Sequence, residues 1–332
     1  MASLVLSRHP RYALLIFLVL MGTLYMLASD KIPEYEGYGV NESKKPLGYD
    51  PDLGVRVQRA ERVYQKMLKN REALVDKFGP NPNDVVNFPP DREPWPAYTV
   101  WDFFPPSFNC PHEVERIGAM GDGGKWICGL SRLTDKPDCI IYSIGVNYES
   151  SFEAEVLERT KHCQIWGYDF TTESFGPQIP RLLRSRAHFK PWGLGTKDAH
   201  GSGDVQKMYT LESLMKMNGH THIDILKVDM ESGEFDTLTA IVKPYLTSEL
   251  PLPFGQLQLE IHLWGKSFAE FKQWWEMLEE AGLRPFFTEP NMVYQNYNRD
   301  GSPELSEYTY LNIKGNNIFI SDGSSSDYVR HS

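Results

Sequence analysis

The sequence is poor in cysteine, with four in 332 residues. That is too few for a disulfide-built scaffold, so the fold must stand on a hydrophobic core. Basic residues are also short: 44 acids outnumber 34 Lys and Arg, leaving a net charge of −10. Such a balance repels phosphate backbones and argues against a nucleic-acid partner. No repeat is present, since 26 Gly and 23 Pro follow no period, which excludes collagen-like and solenoid chains. Two phosphate-binding signatures are missing as well. The glycine-dense stretch from Gly118 to Gly129 lacks the G-x-x-x-x-G-K-[ST] spacing, and the Ser143–Ser151 segment contains no G-x-G-x-x-G. What remains is 41% hydrophobic and 23% charged residues, the composition of a folded domain of enzyme size with appendages.

Tyr12 to Ala28 is 17 residues without a charge. As a helix it is about 25 Å long, near the lower limit for crossing a bilayer core. Arg8 and Arg11 precede it while Asp30 and Lys31 follow it, so the N-terminal side is expected in the cytosol. The expectation is a single-pass type II membrane protein of the Golgi or endoplasmic reticulum: residues 1–11 a cytosolic tail, 12–28 a signal anchor, the remainder lumenal. A cleaved signal peptide delivers the same domain to the same compartment. Residues 29–97 read as a stem, with Asn41-Glu42-Ser43 as a glycosylation acceptor. Within the stem, apolar spacing from Asp52 to Phe78 predicts an amphipathic helix stopped by Gly79-Pro80. Six prolines between 80 and 96 mark a linker.

From residue 98 to 320 strand-like and helix-like stretches alternate. Strands are expected over 139–144, 164–168, 223–228 and 256–262. Helices are expected over 151–160 (with Ser150 and Glu153 as a capping box), 210–218, 233–244 and 267–281. This order predicts an α/β domain with a mainly parallel sheet and helices on both faces. Ligands of such sheets bind along the strand C-terminal edge. Residues 321–332 read as a disordered tail.

The chemistry-bearing residues fall on that edge. Gly145 ends the first strand and allows close backbone approach. Asp169 ends the second, 24 residues later, about the offset at which an acid meets a ribose diol. Asp229, Glu231 and Glu234 crowd three acids at the exit of the third, where a cation, a base or protonation must intervene; Glu231 and Glu234 equally suit a helix N-terminus. Glu260 and His262 share one face of the fourth. With Asp229 they read as a divalent-metal or proton-transfer site, with a satisfied core histidine as the alternative.

The blocks RIGAMGDGGKWICGL (116–130), YSIGVNYESSFEAEV (142–156), IWGYDF (165–170), ILKVDMESGEFDTL (225–238) and LQLEIHLW (257–264) together resemble the methyltransferase-like protein 24 group. That group comprises secretory-pathway proteins with an S-adenosylmethionine-dependent methyltransferase domain, more distantly similar to FkbM-type enzymes. The resemblance implies a Rossmann-like sheet of seven strands and S-adenosylmethionine as cofactor. It places Gly145 and Asn147 at the cofactor turn, Asp169 at the ribose-binding acid and Asp229 beside the cofactor's amino-acid part. The usual E/D-x-G-x-G-x-G motif is altered here: Ser143 stands for the acid, Val146 follows Gly145, and Asn147 replaces a glycine. Glu260 and His262 are the catalytic candidates for a hydroxyl acceptor, which needs a base or a metal. With a lumenal domain, Cys110–Cys128 and Cys139–Cys163 are the expected disulfides, although spacing alone leaves other pairings open. The expected function is methyl transfer to a glycan, lipid or secreted protein. Two alternatives stay open: a type II glycosyltransferase using Asp229-x-Glu231, and a non-catalytic methyltransferase-like binding domain.

Overall fold

Alternating apolar runs in a computed structural model become one sheet wrapped on both faces. The structure describes residues 18, 21, 23, 50–89, 98–121, 123–231, 233–292, 294 and 303–322. The 12–28 anchor, but for three isolated positions, and Asn41 lie outside the described residues. Among the described residues no helix is long and apolar enough to cross a membrane.

In chain order the elements are helix α1 (Leu53–Phe78), strands β1 (Val114–Ile117), β2 (Lys125–Cys128) and β3 (Ile140–Ile144), helix α2 (Ser151–Arg159), strands β4 (Gln164–Tyr168), β5 (Ala187–Lys190), β6 (Gly193–Leu194) and β7 (Met208–Tyr209). They continue with α3 (Leu211–Asn218), β8 (Ile223–Val228), α4 (Glu234–Ser248), β9 (Phe254–His262), α5 (Phe268–Glu280), β10 (Leu283–Pro290) and β11 (Leu305–Asn312). Seven strands form the main sheet in the order β10-β11-β9-β8-β3-β4-β5. β9, β8, β3, β4 and β5 run parallel, and β11 inserts antiparallel between β9 and β10. The seven-stranded, mainly parallel sheet expected from the sequence is therefore present. Strand order reverses at β3, where the chain leaves toward β4 and returns at β8, and that switch point opens a crevice at the strand exits.

Alternation along the strands assigns the faces. Tyr142, Leu226, Leu257 and Leu259 pack with α3, α4 and α5 side chains, including the fully buried Trp275. Ile141, Ile165 and Ile225 pack with α2 and the first half of α1. At about 25 cal/mol per Å², each buried aromatic or aliphatic side chain contributes roughly 1.5–3 kcal/mol or more.

Three expectations need correction. Helix α1, counted with the stem, is part of the folded domain: Ala60, Tyr64, Met67 and Val75 are buried in its core, and Arg71 forks onto Glu279 of α5 at 2.6 and 2.9 Å. Asp322, counted with the tail, belongs to the folded domain, because it pairs with Arg132 and accepts from the Asp50 amide; residues beyond 322 lie outside the described ones. Ser150 and Glu153 make no capping box. Ser150 Oγ instead accepts from Gly176 N at 2.9 Å, and Glu153 turns inward to Ser143. Both expected disulfides, Cys110–Cys128 and Cys139–Cys163, are formed. The second ties the starts of β3 and β4, and the first ties the segment before β1 to the end of β2.

Candidate functional site

A crevice of about 640 Å³ lies at the switch point, within the size range of small-molecule sites. Gly145, Asn147, Asp169, Asp229, Glu260 and His262 all line it. The structure thus brings together every candidate cofactor, catalytic and metal residue expected from the sequence. Glu231 also lines it, while Glu234 sits behind His262.

The turn after β3 forms the first half. Gly145 has φ +74°, and a Cβ there would meet the Asp229 carbonyl oxygen at 1.8 Å, so only glycine lets β3 and β8 close. Asn147 and Tyr148 follow with φ 44° and 60°, a left-handed pair that costs about 1–3 kcal/mol per non-glycine residue. Asp169 holds them there. Its Oδ2 accepts from Val146 N at 2.8 Å and Asn147 N at 2.7 Å, and its Oδ1 accepts from Thr171 N and Oγ1 at 2.7 and 2.6 Å. All four acceptor positions of this carboxylate are taken by the chain itself. Asp169 is therefore the clamp of the turn before it is anything to a ligand.

The altered motif is compensated from elsewhere. Ser143 donates to Glu153 of α2 at 2.5 Å, so a carboxylate absent from position 143 is delivered by the next helix. Lys227 lies 3.9 Å from that carboxylate and donates to the Gly145 carbonyl at 3.0 Å. Sequence reasoning missed both. Their signal was a Glu and a Lys at buried positions of apolar elements, which require partners.

The second half is acidic and poorly compensated. On β9, Gln256, Gln258, Glu260 and His262 share the face covered by the β1–β2 hairpin: Gln256 exchanges bonds with Cys128 backbone and Gln258 donates to Trp126 O. The glycine-dense loop is this hairpin's turn, and it carries Lys125 onto Glu307. Burial works against the Lys125 ammonium, but Glu307 and Asp229 overcome it and hold its pKa above the ordinary value. Glu307 stands directly across the ladder from Glu260. Burial first, then the charges of Asp229 and Glu307, push the Glu260 carboxyl up to about 9. Asn291 donates to its Oε1 at 2.8 Å.

One ligand-type atom each from Asp229, Glu260 and His262 lies within 4.8 Å of the others. Glu231 is not in this group, although it lines the same crevice as Asp229, from a left-handed backbone position with φ 42°. His262 is buried, and its backbone N donates to Glu234 Oε1 at 2.7 Å. The same oxygen lies 3.3 Å from Nδ1, near enough for attraction but without hydrogen-bond alignment. At the mouth, the Trp264 ring lies 4.7 Å from His262, and its Nε1 donates to Tyr294 OH at 3.1 Å.

A family profile described as "Methyltransferase domain" matches residues 59–302. "Probable methyltransferase-like protein 24" of Rattus norvegicus is 26% identical over 189 residues, covering 53% of this chain and 48% of that protein. Its Homo sapiens counterpart is 25% identical over 188 residues, covering 53% and 47%. The chain thus spans about half the length of these relatives. Among solved structures, methyltransferase FkbM from Methylobacillus flagellatus KT is 13% identical, covers 78% of this chain and 60% of its own, and has a TM-score of 0.33. A Methanococcus jannaschii fibrillarin pre-rRNA processing protein is 12% identical with a TM-score of 0.31, covering 53% and 67%.

Proposed function

The chain belongs to this methyltransferase-domain family, and from that premise we propose that it binds S-adenosylmethionine in the crevice and methylates an acceptor of the secretory pathway. One observation carries the reading: the exits of β3, β4 and β8 put Gly145, Asp169 and Asp229 on a single crevice of about 640 Å³. The lining suits the donor's chemistry. Ile144, Leu194 and Phe170 offer apolar surface to a purine, and Asp229 and Glu231 offer negative charge to a sulfonium and an ammonium. Gly145, Asn147 and Asp169 take the adenosine end, with Thr171 Oγ1 the donor that a ribose hydroxyl replaces on Asp169. Asp229 takes the amino-acid end. The donor supplies an electrophilic methyl group.

The protein's own contribution is alignment and exclusion of water. The clamped 145–148 turn fixes one partner. On the other side, Glu260 and His262 face the acceptor hydroxyl and are the groups that ease its deprotonation. Trp264 and Tyr294 give the acceptor an aromatic face, which suits the C–H surface of a sugar ring. Two disulfides fit an oxidising compartment. Together with the Tyr12–Ala28 run they support a lumenal domain in the Golgi or endoplasmic reticulum, acting on a glycan, lipid or secreted protein.

The test is equilibrium titration of the purified protein with S-adenosylmethionine and, in parallel, with sugar nucleotides. Saturable binding of the sulfonium alone is expected. Binding of a sugar nucleotide alone would favour the glycosyltransferase, and binding of neither would leave a non-catalytic domain.

A further inference from the structure

Asp229, Glu260 and His262 meet with one ligand-type atom each inside 4.8 Å, two oxygens and an imidazole nitrogen. Two further carboxylates back them: Glu307 opposite Glu260 on the neighbouring strand, and the fully buried Glu234 beneath His262. The ammonium reaching this corner is Lys125, which is bound to Glu307; Lys227 stands further off, on Gly145 O and Glu153. Among the described residues four buried or half-buried carboxyl groups face one close ammonium, an arrangement that is costly unless protons or a cation complete it.

His262 supplies the second, independent observation. It is 3% exposed and lines the crevice, and no described group bonds to its Nε2. The Glu234 carboxylate 3.3 Å from Nδ1, though not aligned for a hydrogen bond, attracts a proton to that nitrogen. With the proton on Nδ1 the Nε2 lone pair is available, the tautomer that a carboxylate behind a metal-bound histidine selects. Glu234 Oε2 is itself buried and unbonded, while Oε1 accepts from His262 N and so keeps the acid behind the histidine.

We propose that Asp229, Glu260 and His262 form a divalent transition-metal site, with Glu234 as the positioning carboxylate behind His262 and the open coordination positions facing the acceptor. This deepens the transferase reading and rests on it: the cation's task is to hold an acceptor hydroxyl and acidify it. The hydroxyl proton passes to water, an oxygen lone pair forms the C–O bond to the donor methyl, and the C–S bonding pair stays on sulfur as a neutral thioether. A mixed set of two carboxylates and one imidazole favours Mn²⁺ or Zn²⁺ over the all-oxygen preferences of Mg²⁺ and Ca²⁺.

Chelator-stripped full-length protein is titrated with Mn²⁺, with free Mn²⁺ read by electron paramagnetic resonance, and pulsed measurement reads nitrogen coupling to the bound ion. One Mn²⁺ per chain with a ¹⁴N coupling is expected. Glu234→Gln should weaken Mn²⁺ binding about 10–100-fold, the usual loss for an outer carboxylate. Asp229→Asn and His262→Gln should abolish it, and the latter should remove the nitrogen signal. Circular dichroism of each variant identifies folded samples, and the nitrogen coupling in the unsubstituted protein decides the matter if the variants fail to fold. No saturable Mn²⁺ or Zn²⁺ binding at millimolar concentration, or bound Mn²⁺ without nitrogen coupling, overturns the site. Protein that binds S-adenosylmethionine but no cation refutes this proposal alone; protein that binds the cation but not the sulfonium refutes the transferase reading instead.

Discussion

Glu279 and Glu260 are both buried glutamates, 8% and 4% exposed, and the fold treats them oppositely. Glu279 on α5 receives a two-pronged Arg71 at 2.6 and 2.9 Å, Trp275 Nε1 at 2.7 Å, and the Tyr64 hydroxyl. Arg71 in turn donates to Phe103 O at 3.0 Å. Every atom in that cluster is spoken for, and its effect is to lock α1 to the domain. Glu260 has Asn291 on one oxygen and the like charges of Asp229 and Glu307 beside it. A buried acid that is fully paired is architecture, while one left facing other acids is held ready for something that arrives.

Removing the partner of the paired acid should have the largest effect. Arg71→Ala strands Glu279 without its counter-charge, and urea unfolding should show a loss of about 3–5 kcal/mol. Little change there would mean that α1 docks mainly through Tyr64 and Met67. The reverse result is expected at the other glutamate. Glu260→Gln removes a carboxyl whose charged form is opposed by burial and two neighbours, so stability should hold or rise by about 1–2 kcal/mol. Methyl transfer, measured with an identified acceptor, should fall at least about 100-fold in the same variant. A protein both destabilised and active would erase the contrast.

A third variant separates clamp from ligand. Asp169→Asn keeps the shape but weakens the bonds that hold Val146 and Asn147, and should reduce S-adenosylmethionine affinity by about 1–3 kcal/mol. Asn147→Gly relieves the left-handed strain and should stabilise the unliganded protein by about 1 kcal/mol in the same unfolding assay. The smallest effect belongs to Glu61 on α1, which meets Arg284 at 2.8 and 2.9 Å. Burial pushes its carboxyl upward, but Arg284 outweighs it and leaves the pKa below the usual value. A lowered folded pKa means stability that is present above about pH 4.3 and lost as pH falls through the folded value. Glu61→Gln should therefore cost about 0.5–1 kcal/mol at pH 7, the part-buried pair being partly screened, with the difference vanishing near pH 3.

Local pattern carried much of this into the sequence. Ile140–Ile144, Gln164–Tyr168 and Ile223–Val228 are short β-rich runs ending in Gly or Asp, and their exits had to share an edge once the helices between them were recognised. The same parallel geometry placed Cys139 beside Cys163. What stayed illegible depends on contacts across long sequence distances. Nothing around residues 60–71 marks a helix that docks 208 positions away at Glu279, because an amphipathic stripe does not say which surface covers it. Asp169 looked like a free ribose acid since its four donors come from backbone and a threonine, groups with no sequence signature. Glu153 looked like half of a capping box because i,i+3 spacing cannot reveal that Ser143 and Lys227 draw it inward.

The most direct test is a crystal structure of the protein soaked with S-adenosylhomocysteine, the product left after methyl transfer. The account predicts that molecule in the crevice at the β3, β4 and β8 exits, its ribose against the 145–148 turn and its amino-acid end at Asp229. Density elsewhere, or an empty crevice at saturating concentration, would contradict it.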